Sequence, residues 1–97
     1  MTVKHIVLLE PKAGVSDAQI QQALDKAAGL KGGVPGVLEI TSGKNFTDRA
    51  GNFAWAIIVD LDSKESLAGY GPHPAHQEIA TLLGSLMENL MVVDYEI

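Results

Sequence analysis

The chain has no cysteine. That one absence removes disulfides, thiol nucleophiles and zinc–thiolate sites together. Positive charge is also in short supply: seven basic residues stand against twelve acidic ones, for a net charge of −5. Lys4, Lys12, Lys26, Lys31, Lys44, Arg49 and Lys64 are scattered along the chain, so no basic stripe for nucleic acid forms. The same scatter disfavours an anionic membrane surface. No apolar run approaches the roughly 18 residues of a membrane span. The first residues lack a leader-type apolar segment with a small-residue cleavage site, and the cytoplasm is the expected compartment. Nucleotide and nucleophile motifs are missing as well. There is no P-loop, no G-x-G-x-x-G behind a strand, no G-x-S-x-G and no H-E-x-x-H. Gly69 and Gly71 make a G-x-G, but between helices and without the third glycine.

What the chain does have is apolar material. At 97 residues it reads as a single domain, 1–97. A domain of this size buries only roughly 60% of its unfolded surface, so its own core is thin. Yet 46% of the residues are hydrophobic. The surplus points to an interface with another copy.

The pattern along the chain alternates strand and helix. Thr2–Glu10 is β-branched and apolar and stops at Pro11, a first strand with Val3, His5, Val7 and Leu9 on one face and Ile6 and Leu8 on the other. A helix follows with its punctuation visible. Ser16 caps it, Gln19 completes a capping box, and Val15 with Ile20 makes a hydrophobic staple. Ile20, Ala23, Leu24 and Ala27 form its apolar stripe, and Gly32 and Gly33 end it. Val37–Gly43 is a second strand and Phe53–Leu61 a third. Ser63 caps a short helix carrying Leu67 and Tyr70. A last helix runs from Pro74 to about Asn89, and Leu90–Ile97 is the final strand.

The order β-α-β-β-α-α-β predicts an α+β, ferredoxin-like layer with a four-stranded antiparallel sheet. In such a layer the first and third strands are central. They are also the two strands that are apolar on both faces, whereas the second and fourth carry Glu39, Thr41, Asp94 and Glu96 as edges do. The helices cover only one sheet face. A face left in water alternates apolar with polar, and the central strands do not alternate. The second face therefore calls for a second subunit, sheet against sheet, since large exposed apolar patches are uncommon.

The stretch "YGPHPAHQEI" holds two of the three histidines. Pro74 suits the first helical position, where its missing N–H costs nothing, and His73 is pushed into the preceding turn. His76 falls inside the arc formed by Ala75, Ile79, Ala80, Leu82, Leu83, Leu86 and Met87. It points at the sheet, where its ring nitrogens need partners. His5 and Tyr70 are placed to share that space. Against a functional reading stands a plain one, a core histidine bonded to a backbone carbonyl. Two histidines at this spacing without a third ligand make a poor metal site, and no metal or other cofactor is expected.

The segments "MTVKHIVLLEPKAGVS", "VPGVLEITSGKN", "YGPHPAHQEI" and "MVVDYEI" together resemble the stress-responsive A/B barrel (Dabb) domain family. The resemblance runs end to end, and the HPAH element and the VVDY-type last strand are its most specific parts. It implies a dimeric α/β barrel of two ferredoxin-like subunits. Family members include a plant polyketide cyclase in which the HPAH histidine is the base and a tyrosine assists, without metal or cofactor. That correspondence implies His76 as base and Tyr70 as assisting hydroxyl, with His5 and Trp55 at substrate-binding positions, and His73 is a further candidate for substrate binding. Trp55 stands where the cyclase has a further cavity histidine, so an indole refills part of that space. The family also holds stress-induced proteins without known turnover, and the wider superfamily holds cofactor-free monooxygenases and isomerases.

Overall fold

The structure is a computed structural model that describes residues 1–97. Its elements are β1 (Val3–Pro11), α1 (Asp17–Ala28), β2 (Val37–Lys44), β3 (Trp55–Leu61), α2 (Lys64–Tyr70), α3 (Pro74–Leu86) and β4 (Met87–Glu96). All neighbouring strands pair antiparallel, in the order β2-β3-β1-β4. This is the expected ferredoxin-like α+β layer, with β1 and β3 in the middle.

Local chemistry explains the helix starts. The Ser16 hydroxyl accepts from the Gln19 N–H, and the Ser16 N–H donates to the Gln19 side chain at 2.9 Å. Two otherwise orphaned donors are thereby satisfied at the head of α1. Ser63 caps α2 by accepting from the Ser66 N–H at 3.1 Å. Gly36 lets the turn into β2 pass against that cap. It has φ +87°, and a Cβ there would lie 2.2 Å from the Ser66 Oγ, so only glycine fits.

Several boundaries differ from the sequence expectation. α1 ends at Ala28 with Gly29 as its cap, ahead of Gly32 and Gly33. β3 begins at Trp55 rather than Phe53. More consequentially, α3 stops at Leu86 instead of near Asn89, and Met87 is already extended, at φ −105° and ψ 137°. The cause is tertiary. Lys12 N–H donates to the Leu86 carbonyl at 2.9 Å, and Met87 pairs with Pro11 at the far end of β1. The side chain of Met87 is buried there. Pairing with β1 thus ends the helix with no loop between α3 and β4.

The core lies between the helices and one sheet face, here called the inner face. Val3, Leu9, Ile20, Val59 and Leu61 are its most completely buried large side chains. Full burial of such a residue stabilises by about 1.5–3 kcal/mol relative to exposure. The outer face has no cover from this chain. On it Ile58 is 37% exposed, and Met91, Val93 and Tyr95 are each 48% exposed.

Candidate active site

Strand register decides which side chains meet on the inner face. Antiparallel pairing sets Val59, His5 and Asp94 side by side on β3, β1 and β4. The next row toward the other end is Ile57, Val7 and Val92. Above these two rows α3 brings His76, Ile79 and Leu83, and the end of α2 brings Tyr70. Together they line a partly open cavity of about 240 Å³, in which 12 of the 14 lining residues are hydrophobic. An apolar cavity of about 150 Å³ is already large enough to take benzene.

The HPAH element builds the cavity's roof. Pro74 occupies the first turn of α3, and the His73 Nδ1 accepts from the Ala75 N–H at 3.1 Å. His73 is thus an N-cap written in imidazole. His76, one turn further, has its Nδ1 at 2.9 Å from the Gly71 carbonyl oxygen. A carbonyl only accepts, so Nδ1 carries the hydrogen. In the neutral ring Nε2 then holds the free lone pair. Gln77 donates to the same carbonyl at 2.9 Å, which leaves the helix start doubly tied.

Tyr70 sits between two imidazoles. Its ring centroid is 4.2 Å from that of His76 and 5.6 Å from that of His5, the latter in an edge-on arrangement. Burial pushes its hydroxyl up to about 12, so it remains a protonated donor at neutral pH. No side chain of the protein engages that hydroxyl, and Tyr70 lines the cavity.

His5 has a partner that sequence reasoning missed. Its Nδ1 lies 2.5 Å from Asp94 Oδ1. An ionised carboxylate only accepts, so Nδ1–H donates and Nε2 is again the open nitrogen. In the sequence pattern Asp94 stands only as an edge-strand polar residue. The signal for it was present, because Leu90, Val92 and Asp94 share one face of the last strand.

Of the five residues singled out in the sequence, His5, Tyr70 and His76 line one cavity. Trp55 and His73 do not. Trp55 is on the right face but in the wrong row. It pairs with Leu9, whereas His5 pairs with Val59. Four residues of strand separate Trp55 from Val59, about 13 Å at 3.3 Å per residue. The indole is buried in the core at the end of the sheet. His73 is committed to its capping bond. No cluster of three or more potential metal ligands occurs, and no helix is long and apolar enough to cross a membrane.

The sequence and fold have counterparts in known proteins. The chain is 28% identical over 97 residues to olivetolic acid cyclase of Cannabis sativa, covering 98% of this chain and 96% of that protein. Among solved structures it resembles a dimeric ferredoxin-like protein of unknown function from Jannaschia sp. CCS1, at 27% identity and a TM-score of 0.88, over 100% of both chains. It also resembles the hydroxynitrile lyase of Passiflora edulis, at 26% identity and a TM-score of 0.90, over 99% of this chain and 93% of that one. The pattern of the stress responsive A/B barrel domain matches residues 3–97, and the chain belongs to that family.

Proposed function

We propose that the protein binds a small, largely apolar organic molecule in the cavity between α3 and the sheet, and carries out cofactor-free proton-transfer chemistry of the lyase or cyclase type. His76 is the base and Tyr70 the hydrogen-bond donor to the developing oxyanion. His5 holds the ligand from the sheet side, oriented by Asp94. The observation that carries this reading is the forced tautomer of His76. Its Nδ1–H is used on the Gly71 carbonyl, which leaves a basic Nε2 in an apolar cavity beside a protonated phenol. A positioned base of this kind contributes typically about 10²–10⁴-fold. The relatives named cyclase and hydroxynitrile lyase support the same class of chemistry.

In the proposed step Nε2 takes a proton from a carbon next to a carbonyl. The electron pair of that C–H bond moves to the carbonyl oxygen, and the Tyr70 O–H stabilises the enolate. The imidazolium then returns the proton to carbon or to a leaving group. Acetophenone in D₂O tests this directly, with exchange of its methyl protons followed by NMR. The protein accelerates exchange over an equal concentration of free imidazole, and His76→Ala removes the acceleration. Exchange no faster than with free imidazole overturns the reading.

The protein works as a homodimer joined through the outer sheet face, and in the cytoplasm. The dimer is supported by the apolar outer face and by the dimeric neighbour of the same fold.

A further inference from the structure

One apolar strip of β4 lies where a sheet-face dimer cannot cover it. Met91, Val93 and Tyr95 belong to the outer face. Leu90 and Val92 point the other way, toward the helices, and are still 48% and 50% exposed. Edge strands usually carry polar or charged residues where they meet water. Both residues also line the cavity. Its opposite end is shut, because Ala27 and Leu30, at and just beyond the end of α1, are each only 4% exposed. The cavity is thus a pocket closed beneath α1, with its mouth between α3 and β4.

The second lip of that mouth comes from α3. The helix starts with His76 beside Tyr70 and ends where the Leu86 carbonyl meets Lys12, and β4 then returns from Met87 to Asp94. The two elements therefore run antiparallel. Ala80 lies one turn past His76, about 6 Å along the helix. Val92 lies two residues before Asp94, about 7 Å along the strand. The nearly equal steps bring Ala80 opposite Val92, and both line the cavity. Ala80 is short. Gly84, a further turn along the same flank, has no side chain at all, and a Cβ there would meet nothing within 4 Å. Short residues on the helix and branched ones on the strand leave an apolar slot. It leads from the polar groups over Val92 to Leu90. At the polar end Tyr70 is 4% exposed, and its hydroxyl has no partner among the side chains.

We infer that the substrate is a carbonyl compound with an unbranched apolar tail, its oxygen at Tyr70 and its tail leaving through the slot over Val92 and Leu90. The inference rests on the ligand and chemistry proposed above and adds which substituent is limited in size. The group on the α1 side of the carbonyl is small, because that end is closed and the whole cavity holds only about 240 Å³. The tail on the β4 side has no wall ahead of it. Each methylene fully removed from water gains about fourfold in affinity, so a longer tail binds more tightly until it passes Leu90.

The test is an NMR titration with pentyl, heptyl and nonyl methyl ketone, which reads binding without turnover. The strip covers only part of each methylene, so about twofold per methylene is expected, or roughly 16-fold from pentyl to nonyl. The methyl signals of Val92 and Leu90 shift progressively with tail length. Leu90→Ser lowers the ratio of nonyl to pentyl affinity by about fourfold or more. Should that chain fail to fold, Ala80→Glu, an exposed position given a good helix former, lowers the same ratio from the other lip. Pentyl binding with no gain for longer tails overturns the inference alone. So does an unchanged ratio in the folded variant, or tail-dependent shifts at Ala27 and Leu30 in place of Val92 and Leu90. No binding of any of the three ketones at His76 overturns the proposed ligand itself, and the inference with it.

Discussion

The inner face of the sheet is solid at its two end rows and hollow in the two rows between. At one end Val3 and Leu61 are sealed, and at the other Leu9 and Trp55 are, each at most 5% exposed. The middle rows carry His5, Asp94, Val7 and Val92, and above them the helices stand off to leave the cavity. The same strands therefore provide both a scaffold and a site. Fixed ends allow an unfilled middle, and core residues such as Ile57, Val59, Ile79 and Leu83 form part of its wall. Both imidazoles of the hollow are held by something outside it. Asp94 holds His5, the Gly71 carbonyl holds His76, and the HPAH turn fixes the helix that carries His76. Positions defined in this way favour chemistry, since a small misplacement costs a large factor in rate.

The sharpest way to break the contrast is to remove the base from the hollow and leave the ends intact. His76→Ala is expected to lower acetophenone exchange by about 10²–10⁴-fold. The fold survives, because Gln77 still bonds the Gly71 carbonyl. Thermal melting beside the exchange assay separates the two effects. A large loss of stability with no change in exchange would make His76 a core residue and nothing more.

Substitutions in the two regions are expected to differ in stability as well. Leu9→Ala, in a sealed end row, costs about 2–5 kcal/mol through lost transfer energy and a new cavity. Val92→Ala, facing a hollow that already exists and 50% exposed, costs about 0.5 kcal/mol, as surface changes do. Urea unfolding of the two variants measures both. Equal costs would mean that the cavity collapses onto Val92 in solution.

How much of this was legible in the sequence follows from which forces are local. Ser16, Gln19 and Ser63 were legible because capping involves residues three apart. His76 was legible because helical spacing fixes its direction. The sheet order followed from which strands are apolar on both faces. The α3–β4 junction was not legible, since pairing between Met87 and Pro11 overrides a helical pattern that runs on to Asn89. Trp55 had the correct face and the wrong row, because alternation gives a side chain's direction and says nothing of register. Asp94 fell for the same reason. Only once β1 and β4 are known to be neighbours does antiparallel counting from Thr2 and Ile97 bring it opposite His5.

The smallest expected effect sharpens the contrast from inside the hollow, through the pH dependence of stability. Tyr70 is raised from an ordinary 10.0 to about 12 by burial. Below pH 10 the phenol is protonated in both folded and unfolded chains, and the stability linked to its burial is fully present. Between about 10 and 12 the unfolded chain has released the proton while the folded one retains it. The unfolded state then binds fewer protons, so stability falls as pH rises, and it is lost through the folded value. Tyr70→Phe has no proton to release. Its stability is expected to decline less steeply than that of the unmodified chain across this window, with the two curves parallel below pH 10. Urea midpoints at half-unit steps from pH 8 upward measure the difference. Parallel curves throughout would mean that the phenol is in water, and that the hollow is open to solvent rather than roofed by α3.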